Sequence, residues 1–161
     1  MQKDKFTSKQ LEKLTGLKIR TSHYYVEAGI LTPDLQGATG TGTIRYYSVV
    51  NLMEAEIISY FIGFGLPKRV IASFFASLKK DNSRSKLDPF EILKCDGDIS
   101  LFFLPDIKNE QVFHSFVSSK MDHQYLRDID FKDYDLYPIR LTVNLKLMAK
   151  KLIEKLEGFD L

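Results

Sequence analysis

The sequence predicts a mainly α fold with a small β component, and three observations predict it. Apolar residues recur three and four positions apart in successive stretches between Ser8 and Leu78, and again from Leu145 onward. Glycine and proline punctuate those stretches at Gly16, Gly29, Gly63, Gly65 and Pro67. Between Ile99 and Val143 the helical period gives way to short β-prone runs. With 44% hydrophobic residues in 161 positions, wholesale disorder is excluded. A change of composition near residue 80 divides the chain into residues 1–80 and a small α+β part, residues 81–161.

The first helix is expected from about Ser8 to Leu14. Thr7 can accept from the amide three residues on while Gln10 reaches back, which is a capping box. Thr15-Gly16-Leu17 closes this helix, because glycine takes the left-handed conformation of a helix end. A second helix is expected over about Lys18 to Ala28, with Ile19, Ser22 and Val26 on its inner side. Arg20, Thr21, His23 and Tyr24 then occupy the rest of its surface, where guanidinium, hydroxyl and phenol groups can meet base edges and phosphate oxygens. Two short helices joined by a glycine turn make a helix-turn-helix. On spacing alone, a generic helical hairpin fits equally well.

Gly37, Gly40 and Gly42 let the chain turn sharply, as a wing approaching a phosphate backbone requires. A nucleotide phosphate cradle is the competing reading, but no Gly-Lys-Ser/Thr ending accompanies these glycines. The alternation that follows places Thr43, Arg45 and Tyr47 on the wet face of a strand and Ile44 and Tyr46 on the packed one. A flexible surface hairpin with a solvated arginine is the plain alternative. Ser48 caps a helix expected from Val49 to Phe61. Pro67 opens another, reaching Leu78, with Val70, Ile71, Phe74, Phe75 and Leu78 as its apolar stripe.

Asp81-Asn82-Ser83-Arg84-Ser85 is a polar linker, and Pro89 follows too soon for a heptad repeat to continue. Strands are expected at Ile99–Leu104, Val112–Val117 and Ile139–Val143. An amphipathic helix then begins near Asn144, with Leu145, Met148, Leu152, Ile153 and Leu156 on one side and Lys146, Lys150, Lys151 and Lys155 on the other. It is either a lid packed on the sheet or the seam with a second subunit. Phe102, Phe103, Phe113, Phe116, Tyr125, Phe131, Tyr134 and Tyr137 either fill the core of this half or line an apolar pocket.

The opening Phe6-Thr7-Ser8-Lys9-Gln10-Leu11, the turn at Gly16-Leu17 and the run Arg20-Thr21-Ser22-His23-Tyr24-Tyr25 form an ordered set. Gly29-Ile30-Leu31-Thr32-Pro33, Arg45-Tyr46-Tyr47-Ser48 and Gly65-Leu66-Pro67 continue it. In this set the stretch from Phe6 to about Leu78 resembles the winged helix-turn-helix DNA-binding domain of the MerR family of bacterial transcription regulators. His23 stands where the family usually has a second arginine, and Val26 where it usually has an acidic residue. The glycine-rich run before Arg45 replaces the usual Gly-Tyr-Arg.

The resemblance implies a sequence-specific regulator. In it Arg20 and Thr21 touch base edges in the major groove, Lys18, Tyr24, Arg45 and Tyr47 position the backbone, and His23 adds a further contact. It also implies double-stranded DNA as partner, bent and untwisted between promoter elements, a homodimer on two half-sites and contact with RNA polymerase. The family's long coiled coil is missing or displaced here. An excisionase-like architectural factor of recombination or phage packaging, or a non-catalytic protein-interaction module, are the alternatives.

Residues 1–80 hold 11 Lys/Arg against 6 Asp/Glu, and residues 81–161 hold 12 against 15, so the net charge of +2 hides a basic first half. That favours phosphate contact by the helix-turn-helix half. The one cysteine, Cys95, allows no intramolecular disulfide and suits a reduced compartment. With no signal-like or membrane-spanning apolar run, a cytoplasmic protein is expected. His23, His114 and His123 show no ligand spacing, so no metal or other cofactor is expected. The aspartates from Asp128 to Asp135 are the only dense acidic cluster, and a solvated loop or an interaction surface explains them better than catalysis. No enzyme activity is expected, and no effector can be named.

Overall fold

A computed structural model describes residues 5–35, 44–80, 82–97, 99–106, 111–118 and 141–159, and from 102 to 118 it describes the backbone. The glycine-rich stretch at Gly37, Gly40 and Gly42, Thr43, the aspartates from Asp128 to Asp135, and Tyr125, Phe131, Tyr134 and Tyr137 lie outside the described residues.

Helix α1 spans Ser8–Thr15. Its capping box is formed as expected, with Gln10 N donating to the Thr7 hydroxyl and Thr7 N to Gln10 Oε1. Gly16 ends it at φ +75°. Helix α2 spans Ile19–Glu27 and closes on Gly29 at φ +68°, with the amides of Ile30 and Leu31 returning to the Tyr25 carbonyl. Helices α3 (Val49–Gly63) and α4 (Lys68–Lys80) follow. The expected stripe of α4 is buried in full, from Val70 and Ile71 through Phe74 and Phe75 to Leu78. Phe74 packs edge-on against both Phe61 and Phe75, at centroid distances of 5.3 and 5.0 Å.

The stretch read as a polar linker is a 3-10 turn, Ser83–Leu87, followed by a short helix that the sequence analysis did not place, α5 (Pro89–Lys94). Its signal was Asp88-Pro89: the Asp88 carboxylate accepts from the amides of Phe90 and Glu91, and proline occupies the first turn. Strands β1 (Ile99–Asp106), β2 (Gln111–Ser118) and β3 (Leu141–Asn144) form an antiparallel sheet in the order β2-β1-β3. Leu101 lies opposite Phe116 on one side and Val143 on the other.

The last helix, α6 (Leu145–Glu157), is capped by Asn144, whose carbonyl oxygen accepts from Leu147 N at 2.9 Å. Leu145, Met148, Ala149 and Leu152 are buried against α1, α3, α5 and β1. The apolar face offered for a second subunit is therefore covered by the chain itself. Lys155 is not merely a surface lysine. Its ammonium donates to the Leu14 carbonyl, in the last turn of α1, and pairs with Glu56 Oε1 at 3.2 Å. One continuous core runs from Phe6 to Leu152 and joins elements on both sides of residue 80.

Phe74 is closed off by Phe61, Phe75 and the rest of that core, so truncating it leaves a cavity. Phe74→Ala is expected to lower the unfolding free energy by about 3–5 kcal/mol in urea titrations. A loss under about 1 kcal/mol would show that the site is not closely packed.

Candidate nucleic-acid interface

Helix α2 has a fixed inner side and an open outer one. Ser22 and Tyr25 are buried and Ile19 and Val26 half-buried, so the inner side includes one residue, Tyr25, beyond the expected Ile19, Ser22 and Val26. Ser22 lies three positions before Tyr25, and helical spacing would have allowed it. The Ser22 hydroxyl donates to the Ile19 carbonyl. The Glu12 carboxylate accepts from Ile19 N at 3.3 Å, so α1 supplies the negative charge that the first turn of α2 lacks in its own sequence. Lys18 pairs with the same Glu12 at 3.4 Å and is exposed.

Arg20, Tyr24 and Glu27 are exposed at positions four and three apart, with Thr21 and His23 half-buried beside them. Tyr24 is held from the side by Lys68 of α4, whose ammonium lies 3.4 Å from its ring centroid. Lys68 was not among the expected residues. It follows Pro67 and falls off the apolar stripe of α4, which is the only signal it gives.

On the other flank, His23 Nε2 is hydrogen-bonded to the Ser8 hydroxyl at 3.2 Å, which ties α2 to the start of α1. The Arg45 guanidinium reaches Glu27 at 4.0 Å. Thus Lys18, Arg20, Thr21, His23, Tyr24 and Arg45 are brought to α2 or its edge.

Tyr47 is not. It was expected on the wet face of the strand, yet it is fully buried, while Ile44, expected in the core, is 54% exposed. The expected strand is reduced to a single bridge here, and at Ile44 and Tyr47 the inner and outer sides are the reverse of those expected. The bridge between Phe6 and Tyr47 sets that register through two backbone bonds, of 3.0 and 2.9 Å, and turns the Tyr47 ring into the core. Arg45 shares the inner side, with 18% of its side chain exposed, and reaches the interface by its tip. Tyr46 is half-buried, with the Lys5 ammonium 4.1 Å from its ring centroid.

The exit of α2 and the entry of α3 are locked together beneath this surface. Asn51, which completes the capping box with Ser48, also donates to the Thr32 carbonyl and to Glu54 Oε2, both at 2.8 Å, and accepts from Asp34 N. The Ser48 hydroxyl donates to Asp34 Oδ2 at 2.6 Å. Arg84 grips Glu54 and Asp34 with its guanidinium. Burial raises the Glu54 carboxyl above its ordinary range, and the hydrogen bonds and charge of Arg84 oppose that rise.

A helix side rich in donors with cations at its flanks suits a duplex. Among the described residues no three His, Cys, Asp or Glu side chains stand together as metal ligands would, and no helix is long and apolar enough to cross a membrane. Residues 6–78 match the family model described as MerR HTH family regulatory protein. The chain therefore carries, over those residues, a MerR-type helix-turn-helix domain, the DNA-binding part of a family of regulators. No curated protein matches the chain.

The His23 imidazole is held below its ordinary value of 6.5, first by burial and then by the charge of Arg45, with Glu27 acting the other way. The unfolded chain takes up this proton first as pH falls. The stabilisation that neutral His23 gives is complete above about pH 6.5 and is lost as pH drops from there toward the lowered folded value. The difference in Tm between wild type and His23→Gln should shrink between about pH 7.5 and about pH 5.5. Parallel curves over that window would show that His23 titrates alike in both states.

Proposed function

We propose that the chain is a sequence-specific DNA-binding transcription regulator, with residues 1–80 as the DNA-reading part and residues 81–161 as a small α+β part built onto it. Helix α2 lies in the major groove. Arg20 and Thr21 meet base edges there, while Lys18, His23, Tyr24 and Arg45 hold phosphates. Lys68 joins that second group through Tyr24. Tyr47, with its ring in the core, supports the interface from beneath.

The observation that carries this reading is the exposed Arg20 on a helix whose opposite side is fixed in the core by Ser22 and Tyr25. A guanidinium on a rigid helix can present its paired donors to a guanine edge. The same reading makes the protein cytoplasmic, a homodimer on two half-sites and a partner of RNA polymerase. Its support is the family match, and pairing would have to use a face other than the covered stripe of α6.

Arg20→Ala is expected to weaken binding to the cognate site by about 1–3 kcal/mol and to leave random duplex almost unchanged, measured by fluorescence anisotropy. Equal loss on both duplexes would assign Arg20 to phosphate.

A further inference from the structure

Two cations at the end of α4 and just beyond it point away from the DNA-reading surface and back at the segments that flank it. Lys79 donates to the Gly29 carbonyl at 2.7 Å and to the Thr32 hydroxyl oxygen at 3.0 Å, at the exit of α2. Arg84 lies between two carboxylates. Its Nε and Nη2 donate to the two oxygens of Glu54, and its Nη1 and Nη2 reach the two oxygens of Asp34, at 2.7 and 3.0 Å.

The two carboxylates differ in what else fixes them. Glu54 is fully buried in α3 and has no freedom of its own. Asp34 sits in the irregular segment that leaves α2, and the same carboxylate accepts the Ser48 hydroxyl at the head of α3. Arg84 therefore transfers a position from the core to the segment between α2 and α3. A planar guanidinium can make two such paired contacts at once, whereas an ammonium cannot.

We propose, on the basis of the DNA-binding reading above, that Lys79 and Arg84 are positioning residues for DNA recognition. They set the angle at which α2 and residues 44–48 are presented to the duplex. Both stand in the stretch that leads into residues 87–161. Neither cation touches the nucleic acid.

The test uses the full chain in four variants. Lys79→Gln and Arg84→Lys each remove one set of contacts, and Arg84→Gln combined with Glu54→Gln removes the grip without leaving a buried charge alone. Phe74→Leu lowers stability without touching the clamp and serves as the control. Each is read well below its own Tm, by anisotropy on the duplex that wild type selects and by amide hydrogen exchange.

The three clamp variants should lose about tenfold or more in affinity for that duplex, which is about 1.4 kcal/mol. Exchange should quicken at Ile30, Leu31 and Tyr47 and stay unchanged along the interior of α3. Phe74→Leu should bind as wild type does. Arg84→Lys keeps the charge but not the paired contacts, so it should lose affinity as the other clamp variants do, and the comparison with Phe74→Leu at equal Tm separates that loss from lost stability. Clamp variants that bind like wild type, or that lose no more than Phe74→Leu at equal Tm, overturn the proposal and leave the DNA-binding reading standing. Wild type that selects no duplex overturns both.

Discussion

A carboxylate at the centre of α3 has to be answered. Glu54 is fully buried among Leu52, Met53, Ala55, Ile57 and Ile58, where an unpaired charge would cost several kcal/mol. Arg84 and Asn51 provide the answer, and each brings a second segment with it. Arg84 folds the chain back after α4 and grips Asp34, and Asn51 draws in Thr32 while it caps α3. Thr32, Asp34 and Ser48 are thereby tied to α3 and Arg84 by polar contacts, beside the buried Ile30, Leu31 and Tyr47. Such contacts are directional, so they fix the relative placement of the groups they join more narrowly than apolar packing does.

The interface follows from that placement. Helix α2 is held by Ser22 and Tyr25 on its inner side, by Glu12 at its start and by the Gly29 turn at its end. What remains outside is Arg20, Thr21, Tyr24 and Glu27, with His23 and Arg45 at one edge and Lys68 at the other. In the proposed function, the cations at the edges answer the phosphates that any duplex offers, and the side chains between them are the ones chemically able to tell one base pair from another. Glu27 is the one acidic group in this row, and Arg45 lies beside it.

Local rules were legible in the sequence, and distant ones were not. The capping box at Thr7, the cap at Ser48, the left-handed turn at Gly16 and the stripe of α4 each depend on residues close in the chain, and each stands where expected. The faces of the strand from Ile44 to Tyr47 were reversed, because a period of two gives no sign of which face is inner. The pairing with Phe6 decides it, and Phe6 lies far back in the chain. Glu54 and Glu56 carry charges that belong on a helix surface, and their burial depends on Arg84 and Lys155, which come from remote segments, together with Asn51 beside Glu54. In the same way the apolar face of α6 gave no sign whether it would meet another subunit or the helices of its own chain. Among the site residues, Arg20 and Tyr24 could be read from α2 alone, whereas Lys68 and the hold of Arg84 come from tertiary contacts.

The central claim is that this surface reads sequence. Its most direct test is to let the purified protein capture genomic duplex fragments at a low and a moderate salt concentration and to sequence what is retained. The account predicts one recurrent sequence at both concentrations, with unrelated fragments released as salt rises. Retained fragments with no sequence in common, or none retained even at low salt, would contradict it.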